Sequence, residues 1–180
     1  MNINNMNSPA RRKRPALALA LVLGTAVLLG GCKFKEPTVA AEVSGYNHMP
    51  DDSWSVIAFS VNGASGPNLQ PQSGGGKFNC CISIPERWKP GMKAKVEWWY
   101  ATRPGGPPYP VPPPQEAEVD IPDYNPVGPG TVNVHFYPDH RVKVVVSRFA
   151  IEHPRYAMSE EDKLPWKTDW SLLGHSSMKD

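Results

Sequence analysis

Cysteine is scarce in this chain. The 180 residues hold three, Cys32, Cys80 and Cys81. That is too few for a disulfide framework, and they lack the paired spacings of a metal site. Long helical windows are missing too, because 21 prolines and 15 glycines interrupt them. There is no H-E-x-x-H and no G-x-S-x-G elbow; Gly63-Ala64-Ser65-Gly66-Pro67 misses the latter by one glycine. Five histidines, at positions 48, 135, 140, 153 and 175, show no metal-ligand spacing. No internal repeat and no βαβ alternation occur, which argues against a parallel sheet. These absences predict no metal, no cofactor and no catalytic apparatus.

What is present begins at the N-terminus. Arg11, Arg12, Lys13 and Arg14 precede an uncharged Ala/Leu/Val stretch from Pro15 to Gly31, which ends Leu28-Leu29-Gly30-Gly31-Cys32. A basic region, an apolar run and small residues form a secretory signal. Its end resembles the lipobox of bacterial lipoproteins, and that resemblance implies lipidation of Cys32 and cleavage before it. The alternative is an uncleaved transmembrane anchor, for which the run sits at the short end of the roughly 17–25 residues required. One acyl chain anchors marginally and several anchor stably, at about 0.8 kcal/mol per buried methylene. Lys33 stands where Asp would be the usual inner-membrane retention signal. The expected location is therefore the outer membrane, with the lipid anchor facing the periplasm.

Removing residues 1–31 leaves one ordinary domain. Four of the 19 basic residues leave with the signal, against none of the 17 acidic ones, so the formal charge of +2 becomes −2. No nucleic-acid footprint survives that correction.

After a tether over 32–37, period-two patterning predicts strands at 38–47, 54–62, 78–84, 92–100, 116–121, 131–137 and 141–149. In the fourth, Lys93, Lys95 and Glu97 alternate with Ala94, Val96, Trp98 and Tyr100. Residues 63–77 and the proline-rich 103–114 read as loops. Ser159 with Asp162 resembles a capping box, which Pro165 would cut short. Trp166, Trp170 and Leu172 could dock that tail. The expected fold is mainly β: an antiparallel β-sandwich or open barrel of about seven strands over 38–158. A short C-terminal helix or tail follows at 159–180.

Several residues are candidates for binding. Trp99 shares the wet face of its strand with Lys95 and Glu97, so it is either a binding anchor or covered by the C-terminal tail. Tyr109 sits within the proline-rich loop. Gly74-Gly75-Gly76-Lys77 lacks the spacing of a nucleotide loop and leads into a strand; its glycines suit a turn or an unusual backbone at a binding surface. His48, near a strand end beside Tyr46 and Asn47, is read as a hydrogen-bonded structural histidine with binding as the alternative. Cys80 and Cys81 are expected to be free thiols. Cα atoms across a trans peptide lie about 3.8 Å apart, short of ordinary disulfide spacing, and Cys80 falls in an apolar row with Phe78, Ile82 and Ile84.

Gly45-Tyr46-Asn47-His48, Ile57-Ala58-Phe59-Ser60-Val61-Asn62-Gly63, Gly74-Gly75-Gly76 before Cys80-Cys81, Trp88-Lys89-Pro90-Gly91 and His135-Phe136-Tyr137-Pro138-Asp139 occur in this order. Over roughly 43–156 the chain resembles an uncharacterised bacterial lipoprotein family, domain of unknown function 3304. Members are often encoded near type VI secretion phospholipase effectors. The resemblance implies an immunity protein, not an enzyme, that binds and blocks a secreted phospholipase toxin. The alternative is a structural or accessory envelope lipoprotein with no toxin partner. The resemblance supplies no functional residues.

Overall fold

Side chains alternate across a strand, so a period-two sequence can bury one face of a sheet. In the computed structural model, which describes residues 36–164, the chain does this in nine strands. They are β1 (Thr38–Asn47), β2 (Ser55–Val61), β3 (Ala64–Gly66), β4 (Ser73–Gly74), β5 (Asn79–Pro85), β6 (Lys93–Ala101), β7 (Gln115–Asp120), β8 (Thr131–Phe136) and β9 (Val142–Ser147). Seven lie where the patterning placed them. The short β3 and β4 fall inside the expected 63–77 loop.

The strands form two sheets. One runs β4-β1-β8-β9 with β5 also paired to β1; the other runs β3-β2-β6-β7. Their inner faces meet in one core containing Val43, Val132, Val134 and Phe136 from the first sheet and Phe59, Val61, Val96 and Trp98 from the second. Phe136 bridges them: its ring lies 5.1 Å from that of Phe59 and 5.7 Å from that of Trp98. The architecture is a β-sandwich, not a closed barrel. Each fully buried apolar side chain of this size contributes about 1.5–3 kcal/mol.

Three expectations change. First, β1 pairs with β8 in parallel, Tyr46 opposite His135, although every other pairing between the strands is antiparallel. The connection from β1 to β8 passes through the whole second sheet, so no crossover helix is needed.

Second, the cysteines are not free thiols in an apolar row. The Cys80–Cys81 peptide is cis, its Cα atoms are 3.1 Å apart, and the sulfurs are bonded to each other. The expectation of free thiols holds only for a trans peptide. The register also shifts here: Ala41 opposes Ile82 but Val43 opposes Asn79, so two residues face one, as in a β-bulge. The phase of the strand flips across it. Ile82 and Ile84 are buried, whereas both cysteines are exposed and Phe78 is 52% exposed.

Third, the choice left open between a helix and a tail narrows, because residues 159–164 form a turn. The Asp162 amide does bond the Ser159 hydroxyl at 3.3 Å. The Asp162 carboxylate, however, reaches the side chains of Arg141 and Lys143 on the first sheet. Trp166, Trp170, Leu172, the signal and Cys32 lie outside the described residues.

Candidate functional site

Two regions hold the candidate residues, one on the outer face of each sheet. On the first sheet, residues pointing away from the core are Ser44 and Tyr46 on β1, Asn133 and His135 on β8, and Lys143 and Val145 on β9, aligned by the strand register. That pattern alone would put them in water. Instead the segment after β9 folds back over them. Ile151 and Tyr156 are buried against Tyr46 and Val145, with Met158 beside them. The strand β8 is therefore covered on both faces, and Asn133 and His135 are buried polar residues.

Burial of polar groups costs free energy unless they are hydrogen-bonded. Here they form a chain. The Leu164 carbonyl can only accept, so its partner, Nδ1 of His48, carries the proton. The His48 Nε2 then accepts from His135 Nδ1 at 2.9 Å, and His135 Nε2 accepts from the Tyr156 hydroxyl at 2.6 Å. Rings stack on both sides: Tyr46 on His135 at 4.9 Å and Tyr137 on His48 at 4.3 Å. The Arg141 guanidinium sits 4.1 Å over the Tyr137 ring.

Electrostatics follow from this burial. Desolvation depresses the His48 pKa to about 4, and that of His135 falls well below the ordinary histidine value through burial and then the charge of His48. Burial opposes the charge on Asp162, but hydrogen bonds from Lys143, Ser159 and Arg141 outweigh it and hold the carboxyl well below its usual range. Burial, followed by the Asp162 charge, raises the Tyr137 phenol.

His48, Gly74 and Gly75 belong to this cluster through Tyr46. A Cβ on Gly74 would stand 2.5 Å from the Gly45 carbonyl oxygen and 2.6 Å from the Tyr46 Cα. Gly75 has φ of 69° and packs on the Tyr46 hydroxyl. These two glycines thus permit close packing on an aromatic ring. Gly76 differs, since a Cβ there meets nothing within 4 Å.

Trp99 and Tyr109 lie on the other sheet. Trp99 is 40% exposed and pairs across strands with Ala58; the neighbouring Ile57, at a register shift in β2, is 52% exposed. The same face continues as charged residues, with Lys95 bound to Glu97 and Glu116 and Lys93 to Glu118. The described part of the C-terminal tail covers the first sheet and leaves Trp99 open. From β6 the chain runs into the proline-rich loop, which carries Tyr109 at 77% exposure. This loop is braced at its base. Thr102 Oγ1 donates to the Pro107 carbonyl at 2.8 Å, and Val111 packs on the core. Pro107 and Pro112 also line a cleft of about 420 Å³ with Trp54, Tyr100 and His140.

The structure thus brings His48 together with Gly74 and Gly75, and places Trp99 and Tyr109 apart from them. Sequence reasoning missed His135, Tyr156 and Asp162. They are 87 and more residues from His48, and nothing local marks them as its partners. Among the described residues no group of three or more His, Cys, Asp or Glu side chains could hold a metal.

A protein-family model described as protein of unknown function (DUF3304) matches residues 46–144. That span contains His48, the Gly74–Gly76 turn, Trp99, Tyr109 and His135, but not Tyr156 or Asp162. No curated protein and no solved structure matches the chain.

Proposed function

The chain belongs to the DUF3304 family, and from that premise we propose that it is a lipid-anchored, periplasm-facing binding protein whose target is a phospholipase delivered by type VI secretion. In this reading Cys32 carries the lipid and holds the sandwich at the outer membrane, where such an enzyme attacks. The protein acts by occupying the enzyme, without chemistry of its own.

One observation carries the reading. The second sheet presents large apolar side chains outward, Ile57 and Trp99, and the loop that follows presents Tyr109. Binding energy at protein interfaces concentrates in a few such aromatic anchors within a polar rim. The charged ladder of Lys93, Lys95, Glu97, Glu116 and Glu118 supplies that rim. Bracing of the 102–114 loop lowers the ordering cost of association, and a projecting loop on a rigid scaffold fits an active-site cleft.

The test uses the detergent-solubilised full-length chain and the phospholipase encoded beside its gene. The expected result is a stable complex in which lipase activity is lost. No binding at micromolar concentration overturns the toxin reading and leaves an accessory envelope lipoprotein. Lipidation is tested separately: labelled fatty acid should enter the wild-type chain and be absent from Cys32→Ser.

A further inference from the structure

We propose that residues 149–164 form a strap latched onto the first sheet by His48 and His135, and that acid releases it. The inference is independent of the toxin reading and rests on the buried hydrogen-bond chain that joins the strap to the sheet.

The chain Tyr156 to His135 to His48 to Leu164 begins and ends on the strap, and its middle members belong to the sheet. With both imidazoles neutral, each link uses one N–H or O–H and one acceptor, and the chain runs from the Tyr156 hydroxyl to the Leu164 carbonyl. A proton added to His48 Nε2 would confront the N–H of His135 Nδ1 across 2.9 Å, and relieving that clash means moving the His135 proton to Nε2 and turning the Tyr156 hydroxyl. A proton added to His135 Nε2 would confront the Tyr156 hydroxyl and require it to turn its hydrogen away. Either event places a cation between stacked rings with no carboxylate in the chain.

Other charged groups around the pair decide whether the latch or another tie yields first. Arg141 and Lys143, from the β8–β9 turn and β9, oppose a positive charge on the histidines; Asp162, from the strap, favours one. Tyr46 and Tyr137 face the rings from the sheet; on the strap, Glu152 acts on Tyr46 and Tyr156, Glu161 lies near Asp162, and the buried Lys163 is paired with Glu160. Asp162 also ties the strap to Arg141 and Lys143. Its carboxyl is held well below the usual range, so those ion pairs persist where the histidines begin to take up protons. Release would uncover Tyr46, His135 and Val145 while the core between the sheets stays closed.

The experiment is hydrogen exchange of the full-length chain followed by mass spectrometry from pH 7.5 to pH 4, corrected for intrinsic exchange. Protection of 150–164 should fall at least tenfold across that range while β2 and β6 keep theirs. In the double variant His48→Gln/His135→Gln the strap should show no acid transition, whereas Asp162→Asn should still show one. Simultaneous loss of protection in the strap and β6 overturns the proposal, as does an unchanged transition in the double variant. If the double variant does not fold, proton NMR titration of the wild-type histidines decides. The signals of both must move with strap opening, and titration of the pair without opening overturns the latch.

Discussion

The imidazoles of His48 and His135, 87 positions apart in the chain, face each other nitrogen to nitrogen at 2.9 Å. They meet because β1 and β8 run side by side in parallel with Tyr46 opposite His135. The pair is buried, and the Leu164 carbonyl at one end, which can only accept, sets the proton positions of the neutral pair.

Stability should fall in acid. An unfolded histidine titrates near pH 6.5, while folded His48 does so near 4. Between those values the unfolded chain binds more protons, so stability rises with pH. The contribution is complete above about pH 6.5 and is lost as pH falls toward 4. Urea unfolding should show a decrease of about 2–3 kcal/mol over that window, ending where the strap lets go. A flat profile contradicts the buried neutral pair.

Tyr156→Phe removes the hydroxyl that donates to His135 Nε2 and leaves a buried acceptor without it. The cost of such an orphan is about 1–3 kcal/mol. Thermal unfolding of this variant should show that loss, and strap exchange should quicken. An unchanged melting temperature means the hydroxyl contributes nothing.

Gly74→Ala and Gly76→Ala should differ although the residues are two apart. At Gly74 the added carbon meets backbone of Gly45 and Tyr46, which cannot swing away. Forced overpacking of this kind costs about 1–3 kcal/mol. At Gly76 the carbon enters open space, and the change should stay within about 0.5 kcal/mol. Equal melting temperatures for the two variants contradict the close approach of β4 to Tyr46.

Trp99→Ala and Tyr109→Ala probe the proposed interface. Tyr109 is 77% exposed, so its variant should change stability by less than about 0.5 kcal/mol, whereas Trp99, 40% exposed, also loses the packing of its covered part. Loss of an interface anchor costs about 2 kcal/mol or more, so affinity for the lipase should drop more than tenfold. Calorimetric titration that finds undiminished affinity in both variants places the interface elsewhere.

Patterning located the seven longer strands to within about two residues, because alternation is a property of one segment read alone. The Trp98-Trp99 pair shows how far that goes. Neighbours on a strand face opposite sides, and Trp98 is indeed core while Trp99 is open. The strand at 78–84 shows where it stops, since a bulge against β1 reverses the phase and turns Phe78 and Cys80 outward.

The β class, the strand positions and the inward face of most strands are legible in the residues alone. Which strands adjoin, the cover that the strap lays over the face bearing Tyr46 and His135, and the Cys80–Cys81 bond emerge from the folded chain. Periodicity states which way a side chain points but not what stands opposite. A polar residue on an outward face suits water and a hydrogen-bonded cover equally well, and the choice belongs to residues a hundred positions away.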